Sequence, residues 1–397
     1  MKENWTYKKL GEVCDVINGL WIGKKEPFIN IAVIRNTNFS KDCKLKLDDV
    51  AYIDVEVKQF KTRKLFVGDI IIEKSGGSEK QPVGRAVLFD VPDGDYSFSN
   101  FTAALRIKDD VSVNPVFLHK CLYAHYLNGE TLKMQSKTTG LHNLDMKAYL
   151  KLPIPVPPIE TQSRIVSELD LLQSIIDKQQ AQLKELDKLA QSVFYDMFGD
   201  PVENEKGWEV KKLGEVCNKI TDGVHQKPTY TECGMPFISV VNINRGVLDF
   251  DDCKYVSLVD GETFNKRAKP QKGDVLYTKV GATYGIPAVV DTDTEFCLYV
   301  SVCLIKPKLD IIDSVFLKNQ MKSPYIKEQA DKRIRGIGVP DLHLNQISDF
   351  EIILPPLPLQ QTFTRKIEVI EKQKSAISQS ITETQKLFNY TMDKYFG

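Results

Sequence analysis

The amino-acid sequence contains an internal repeat that extends over most of its length. Residues 5–14 are WTYKKLGEVC and residues 208–217 are WEVKKLGEVC, so eight of ten positions are identical. Weaker matches continue in the same order along both copies: DCK at 42–44 and 252–254, GDII at 68–71 with GDVL at 273–276, PPIETQ at 157–162 with PPLPLQ at 355–360, and FG at 198–199 and 396–397. A repeated unit of this size is large enough to have its own core. The sequence therefore predicts two tandem units, residues 1–199 and 200–397.

The two copies match well at their beginnings and at the proline junctions, but their central parts have diverged. Divergence of this kind is expected of one scaffold that carries two different recognition surfaces. Relaxed drift on surface loops is an alternative that the sequence alone leaves open.

Each copy ends in a segment with the periodicity of a long helix. After the prolines, residues recur at alternating steps of four and three, which is the spacing of a coiled-coil seam. In the first copy the seam consists of Ile165, Leu169, Leu172, Ile176, Gln179, Leu183, Leu186, Ala190, Val193 and Met197. In the second copy it consists of Phe363, Ile367, Ile370, Lys374, Ile377, Ile381, Thr384, Phe388, Thr391 and Tyr395. At about 1.5 Å per residue, each helix is predicted to be about 50 Å long and free of internal proline.

The two helices are predicted to pack against each other in antiparallel directions. The second globular part joins the end of the first helix to the beginning of the second, which one compact domain does most easily when those two ends are neighbours. The duplication then gives a pseudo-two-fold arrangement. The alternative is that each helix packs only on its own domain.

The globular parts, residues 1–150 and 201–350, have the mixed patterns of α/β domains. Apolar runs next to turn residues indicate strands at 31–34, 66–72, 237–241 and 273–277, and helical patterns cover 115–128 and 314–331. The predicted fold class is therefore α/β, with two mixed α/β domains separated by a long antiparallel two-helix coiled coil.

The loops of both globular parts are rich in small, polar and basic residues. Arg, Lys, Asn and Gln are the side chains that contact base edges and phosphates, and glycine permits close approach of the backbone. The candidate DNA-binding residues in the first copy are Lys24, Lys25, Arg35, Asn36, Lys74, Ser75, Lys80, Lys137, Thr138 and His142. Those in the second copy are His225, Gln226, Lys227, Asn242, Arg245, Lys279, Thr283, Tyr284, Arg333 and Arg335. For any single loop, an ordinary solvated turn is the alternative.

Composition limits the class of protein. The 53 basic and 53 acidic side chains cancel, which argues against non-specific coating of nucleic acid and suggests that a partner supplies positive charge. No apolar run approaches the ~20 residues of a membrane helix and the first ten residues are polar, so we expect a cytoplasmic protein without a membrane association. The eight cysteines are scattered singly and the five histidines lack metal-ligand spacing, so we expect buried thiols and no metal site.

The familiar catalytic motifs are missing from the sequence. There is no phosphate-binding G-x-x-x-x-G-K-[ST] loop, no G-x-G-x-x-G, and no Asn-Pro-Pro or Asp-Pro-Pro followed by an aromatic residue. The triplet Glu56-Val57-Lys58 has the E-x-K form of many nucleases but lacks a convincing upstream acidic partner. We therefore predict a non-catalytic chain.

These features together resemble the specificity subunits of type I restriction-modification systems over the full length of the chain. The resemblance rests on W-x-x-x-x-L-G-E at Trp5 and Trp208, on Gly-Asp before a strand in each copy, and on the proline junctions at 157–162 and 355–360. Residues 222–225, DGVH, with Pro228 are similar to the family's Asp-Gly-x-His loop. The first copy departs from that pattern at 18–25, where Trp21 is near the place of the histidine.

The resemblance implies that target-recognition domains at 1–152 and 200–354 each recognise one half of a bipartite, asymmetric site in double-stranded DNA. Proline junctions and spacer helices at 153–199 and 355–397 would set the distance between halves and dock two methyltransferase subunits. Those partners would hold S-adenosylmethionine and methylate adenine, so no cofactor is expected in this chain; endonuclease-translocase subunits are further partners. The alternatives are a coiled-coil scaffold whose two heads bind proteins, and a nuclease without a familiar motif.

Overall fold

The computed structural model describes residues 5–21, 23, 25–79, 81–138, 141–334 and 338–397, without the side chains of Lys137 and Thr138. Its contacts divide the chain into two units. Unit 1 consists of Met1–Gln179 with Ser380–Gly397, and unit 2 consists of Gln180–Gln379. Each unit therefore combines one globular head with parts of two long helices.

The elements that begin in unit 1 alternate short strands with helices. The strands are β1 Thr6–Lys9, β2 Cys14–Asn18, β3 Phe28–Ile34, β4 Ala51–Glu56, β5 Ile70–Glu73, β6 Ser75–Gly77, β7 Ala86–Leu88, β8 Tyr96–Phe98, β9 Thr102–Ile107, β10 Gln135–Thr138, β11 Leu141–Leu144 and β12 Pro153–Val156. The helices are α1 Leu10–Val13, α2 Val57–Arg63, α3 Pro115–Leu127, α4 Met146–Tyr149 and α5 Ile159–Phe198, with 3-10 turns at Asn36–Asn38 and Glu130–Met134.

The elements that begin in unit 2 follow a similar order, without counterparts of β6, β10 and β11 among the described residues. The strands are β13 Glu209–Lys212, β14 Cys217–Asp222, β15 Met235–Ile238, β16 Lys254–Val256, β17 Val275–Thr278, β18 Pro287–Val289, β19 Cys297–Leu298, β20 Val302–Pro307 and β21 Glu351–Leu354. The helices are α6 Leu258–Asn265, α7 Ser314–Met321, α8 Pro324–Arg333, α9 Leu344–Ser348 and α10 Leu357–Phe396, with 3-10 turns at Leu213–Val216 and Val240–Asn242.

Both heads are built on the same sheets. A four-stranded antiparallel sheet has the order β2-β9-β5-β7 in unit 1 and β14-β20-β17-β18 in unit 2. A mixed three-stranded sheet, β4-β3-β8 or β16-β15-β19, and a two-stranded pair, β1-β12 or β13-β21, complete the common part. Strand β3 pairs with β8 in parallel, as β15 does with β19. The structure thus confirms two mixed α/β domains produced by duplication.

The long helices pack against each other in antiparallel directions within each unit. In unit 1, the Tyr395 hydroxyl donates to Glu168 Oε2 at 2.7 Å, and Gln179 Nε2 donates to Ser380 Oγ at 2.7 Å. Position numbers rise along α5 as they fall along α10, so the helix directions are opposed. In unit 2, Lys374 Nζ bonds Asp187 Oδ1 at 2.9 Å. The predicted pairing of the helices is confirmed.

The helices also contribute to the cores of the heads. Ile165, Leu169 and Ile176 of α5 lie in one apolar cluster with the sheet and α3 of unit 1, and Phe388, Met392 and Tyr395 of α10 join it. In unit 2 the corresponding cluster includes Phe194 and Phe198 of α5 with Phe363, Ile367 and Ile370 of α10. The alternative that each helix packs only on its own domain is therefore wrong, although the beginning of each helix does belong to its own head.

A buried glutamine fixes the first turn of each long helix. Gln162 Oε1 accepts a hydrogen bond from Asn114 N at 2.8 Å, and its Nε2 donates to Pro157 O at 2.8 Å and to Ser112 O at 3.1 Å. Gln360 makes the same three contacts in unit 2. Because both side chains are fully buried, these bonds replace the water that the groups would otherwise bind.

Several details differ from the sequence-based expectations. Helix was expected over 314–331, but α7 ends at Met321 and α8 begins at Pro324, because proline disfavours helix in the preceding residue and Ser323 caps α8 by accepting from Ile326 N. The expected strand 66–72 begins only at Ile70, after the turn at Gly68, and the strand expected over 237–241 ends at Ile238.

The long helices are longer than expected. Each has 40 residues, which corresponds to about 60 Å. Helix α10 also includes Pro358 in its first turn. Backbone N–H groups in the first turn have no partner within the helix, so the N–H that proline lacks costs no hydrogen bond.

Candidate nucleic-acid interface

In each unit, two strands of the four-stranded sheet that flank a common central strand, β9 or β20, end at the same edge of the sheet. Strand β2 ends at Asn18 and β5 is followed by Lys74, and the Lys74 ammonium donates to Asn18 Oδ1 at 2.9 Å. In unit 2, β14 ends at Asp222 and β17 is followed by Lys279, with Lys279 Nζ 3.6 Å from Asp222 Oδ2. We call these two equivalent places the strand-end sites of units 1 and 2.

The backbone around the two lysines is the same in both strand-end sites. Lys74 N donates to Phe101 O at 2.9 Å, and Leu144 N donates to Lys74 O at 2.8 Å. The matching bonds in unit 2 are Lys279 N to Ser301 O at 3.0 Å and Leu342 N to Lys279 O at 2.9 Å. The predicted candidates Lys74 and Lys279 therefore occupy equivalent positions. Lys74 follows its partner Asn18 by 56 residues, and Lys279 follows its partner Asp222 by 57 residues.

A glycine after each strand carries the chain into an exposed loop. A Cβ atom on Gly19 would lie 1.9 Å from the carbonyl oxygen of Ser99, and one on Gly223 would lie 1.9 Å from that of Leu298. Only glycine permits this close backbone approach. Two residues later the loops present different side chains at matched positions, Trp21 (65% exposed) and His225 (side chain 63% exposed).

Each strand-end site contains an arginine that the sequence analysis missed. Arg63 Nε donates to Asn18 O at 3.0 Å, and Arg267 Nε donates to Asp222 O at 3.2 Å. Both arginines follow a buried phenylalanine by three residues, Phe60 in one copy and Phe264 in the other. The repeated Phe-x-x-Arg pattern could have identified both arginines, but it lies outside the segments in which the two copies are most similar.

The two sites differ in charge. Burial acts to raise the pKa of the Asp222 carboxyl, but hydrogen bonds from Arg267 and His225 and the charge of Lys279 outweigh it and hold this pKa below its ordinary value. Lys279 Nζ is also 3.4 Å from Asp341 Oδ1. In unit 1 the neutral Asn18 stands in place of Asp222, and burial lowers the pKa of Lys74.

A small three-stranded sheet adjoins the strand-end site of unit 1. Its order is β10-β11-β6, and it brings Ser75, at the start of β6, to the hairpin that contains Lys137, Thr138 and His142. Ser75 Oγ donates to Asn143 Oδ1 at 2.6 Å, and His142 Nδ1 lies 3.1 Å from Gln135 Oε1. In the described part of unit 2, the corresponding contact is a single bridge between Val280 and Asp341.

Five other candidates of unit 2 lie in three places. Gln226 and Lys227 are exposed beside His225. The exposed Thr283 precedes Tyr284, whose hydroxyl donates to Asp331 while Lys327 Nζ lies 3.4 Å from the ring centroid. Arg245 is exposed, with its nearest carboxylate, that of Asp249, at 4.0 Å.

Two candidates of unit 2 are engaged within their own head. Asn242 is buried, and its Oδ1 accepts from Ser239 N at 3.0 Å while its Nδ2 donates to Asp249 O at 3.3 Å. Arg333 donates to Gln329 O at 3.0 Å and lies over the ring of Phe350. Asn38 makes the same pair of backbone bonds in unit 1 as Asn242 does, so this asparagine forms the loop in both copies.

The remaining candidates are in unit 1 or outside the described residues. Lys25 is exposed, and its backbone N–H donates to Glu56 Oε1 at 2.8 Å. Arg35 Nη2 donates to Asp49 O at 3.3 Å, and Asn36 Nδ2 donates to Ser75 O at 3.3 Å, which places Asn36 beside the strand-end site. The predicted residues Lys24, Lys80 and Arg335 lie outside the described residues.

Within the ranges that the structure describes, no group of three or more His, Cys, Asp or Glu side chains is arranged to hold a metal ion. Six cysteines are buried and Cys253 is half-buried, as expected, whereas Cys233 is exposed. Among the described helices, none has the length and apolar character needed to cross a membrane.

Comparison with known proteins places the chain in a family. The family model described as "Type I restriction modification DNA specificity domain" matches residues 2–188 and again residues 205–385. The EcoKI specificity subunit of Escherichia coli is 23% identical over 94% of this chain and 85% of that protein. The MjaVIII specificity subunit of Methanocaldococcus jannaschii is 25% identical, but the match covers 63% of this chain and only 62% of that relative.

Solved structures show the same fold. The S subunit of the type I restriction-modification system from M. genitalium superposes with a TM-score of 0.56 at 14% identity, over 99% of this chain and 96% of that one. A chain solved in work on assembly and conformational transition of the type I R-M system gives a TM-score of 0.57 at 20% identity, over 99% and 98%. The two matches of the family model cover most of the sequence in succession, and the chain therefore belongs to the family of type I restriction-modification DNA specificity subunits, which are non-catalytic and hold no cofactor of their own.

Proposed function

We propose that each head of this chain recognises one half of a bipartite, asymmetric site in double-stranded DNA on behalf of a type I restriction-modification complex. The observation that carries the proposal is the pair of strand-end sites. Their backbone frames are the same, yet they present Trp21 and Asn18 in one unit and His225 and Asp222 in the other. One backbone frame with two different sets of side chains, of which Asp222 is buried and the other three are exposed, suits two different half-sites.

The side chains at these sites have the chemistry that DNA recognition needs. Arg267 and Lys227 are exposed and Arg63 is half-buried, and these cations suit phosphates, whose contacts orient a protein on the duplex. His225 and Gln226 present hydrogen-bonding groups suited to base edges, and Trp21 presents an apolar surface suited to a thymine methyl group. We assign recognition to residues 1–152 and 200–354.

The two long helices would set the separation between the half-sites and dock partner subunits, with residues 153–199 and 355–397 as the spacer segments. Large apolar side chains remain exposed along both helices, namely Leu171, Leu189, Val369, Leu387 and Tyr390. Such residues suit a protein interface better than a solvated helix face. The partners would be two methyltransferase subunits that hold S-adenosylmethionine and methylate adenine, joined by endonuclease-translocase subunits, in the cytoplasm.

The test is to co-express the full chain with its methyltransferase partner in a host that lacks adenine methylation and to sequence the methylated genome. We expect methylated adenines within one asymmetric motif of two short halves separated by unspecified bases. The matched control is the methyltransferase expressed without this chain, which should leave the motif unmethylated. The absence of any motif, together with no salt-dependent binding of the complex to DNA, would favour a scaffold whose heads bind proteins.

A further inference from the structure

A buried ion pair lies behind the strand-end site of unit 1. Arg85 Nε bonds Glu73 Oε2 at 2.8 Å and Arg85 Nη2 bonds Glu73 Oε1 at 3.0 Å, and the two side chains are only 5% and 1% exposed. Arg85 also donates to Phe39 O at 2.8 Å and to Asn36 O at 3.4 Å. The pair therefore holds the 3-10 turn that contains Asn36.

The orientation of the Asn36 amide is fixed by its neighbours. Its Nδ2 donates to Glu73 Oε1 at 3.4 Å and to Ser75 O at 3.3 Å. Both neighbours are acceptors only, and the Glu73 carboxylate is itself held by Arg85, so the amide nitrogen must face inward. Asn36 Oδ1 then points away from them. It accepts no hydrogen bond from the described residues, and it remains accessible to solvent.

The matched positions in unit 2 lack this arrangement. Equivalent backbone bonds match Thr278 to Glu73 and Ile286 to Arg85. The loop asparagines Asn38 and Asn242 match Val240 to Asn36. The turn itself is unchanged, because Asn38 and Asn242 form it in the same way. The turn is therefore common to both units, whereas the polar network behind it is specific to unit 1.

We infer that Asn36 is a specificity-determining residue that accepts a hydrogen bond from the exocyclic amino group of a base, adenine N6 or cytosine N4. This inference rests on the proposed function. An asparagine that is free to use both ends of its amide pairs with adenine N6 and N7 together. Asn36 has only its oxygen to offer, so it would accept from an amino group and would oppose the O6 of guanine or the O4 of thymine.

The experiment uses the complete complex with its methyltransferase partner and the motif found by genome sequencing. Each adenine or cytosine in the half-site recognised by unit 1 is replaced, one at a time, by an analogue that lacks the exocyclic amino group. Binding is measured for the wild-type complex, for Asn36→Ala, and for Asn128→Ala as a control of the same chemical change at an exposed position outside the strand-end site.

We expect one analogue to weaken wild-type binding by about tenfold, the effect of one base-specific hydrogen bond. The same analogue should have no effect on Asn36→Ala and its full effect on Asn128→Ala. Binding to the half-site of unit 2 should be unchanged in both variants.

The inference is overturned if no amino-lacking analogue in that half-site weakens the wild-type complex, a result that does not depend on whether any variant folds. It is also overturned if Asn36→Ala remains as sensitive as the wild type at every position. Either result would leave the proposed function intact, because the wild-type complex would still recognise its motif. A wild-type complex without any motif would instead reject the proposed function and this inference with it.

Discussion

Replacement of the buried glutamines tests how firmly each head is attached to its long helix. Gln360 Oε1 accepts from Asp313 N at 2.9 Å, and its Nε2 donates to Pro355 O at 2.7 Å and to Ile311 O at 3.2 Å, which repeats the contacts of Gln162. Leucine has a similar volume but makes none of these bonds. At about 1 kcal/mol for each lost bond, with extra cost for partners left buried, Gln162→Leu or Gln360→Leu should destabilise the fold by about 3 kcal/mol.

The assay is thermal unfolding of the full chain followed by circular dichroism. For a unit of about this size, 3 kcal/mol corresponds to a fall in the unfolding midpoint of roughly 6–12 °C. The two substitutions should give similar falls, because the contacts are the same in both units. Gln182→Leu, on the exposed side of α5, is the matched control and should change stability by less than about 0.5 kcal/mol. Falls below about 2 °C for both buried positions would refute the reasoning.

Three further predictions concern charge, the helix seam and DNA binding. Because the pKa of Asp222 is lowered in the folded chain, its charge stabilises the fold above the unfolded pKa of about 3.9, and this contribution is lost as pH falls through the folded pKa. Urea unfolding of Asp222→Asn should therefore show a shallower loss of stability below about pH 4, and an identical acid limb would contradict this. Gln179 Oε1 is buried without a partner, so Gln179→Leu combined with Ser380→Ala should raise stability by about 1 kcal/mol, and a lower thermal midpoint would count against it. Arg63→Ala and Arg267→Ala should each lower the slope of log affinity against log salt by about one, and unchanged slopes would exclude phosphate contacts by these residues.

The features that the sequence predicted well depend on local pattern or on direct repetition. The duplication, the heptad seams and the mixed α/β heads were all visible as spacings along the chain, and the structure and the family membership confirm them. The seam also includes the polar residues Gln179, Lys374 and Thr384. Each of them is half-buried in the structure, as the heptad spacing predicts.

The features that the sequence did not predict depend on contacts between distant segments. Lys74 and Asn18 are 56 residues apart and meet only because β2 and β5 both pair with β9. Residue type alone was also a poor guide to role. Asn242 was a candidate for base contact, but its amide closes its own loop, while Arg63 was overlooked because it lies at the end of a helix rather than in a polar loop.

The central claim, that each head recognises its own half-site, is tested most directly by exchange of one head. Residues 200–354 are replaced by the equivalent segment of a family member with a different specificity, and the spacer helices are left unchanged. The chimera is expressed with the methyltransferase partner, and the methylated motif is determined by sequencing. We predict that one half of the motif changes while the other half and the separation between them remain. A motif unchanged in both halves, or altered in both, would contradict the account.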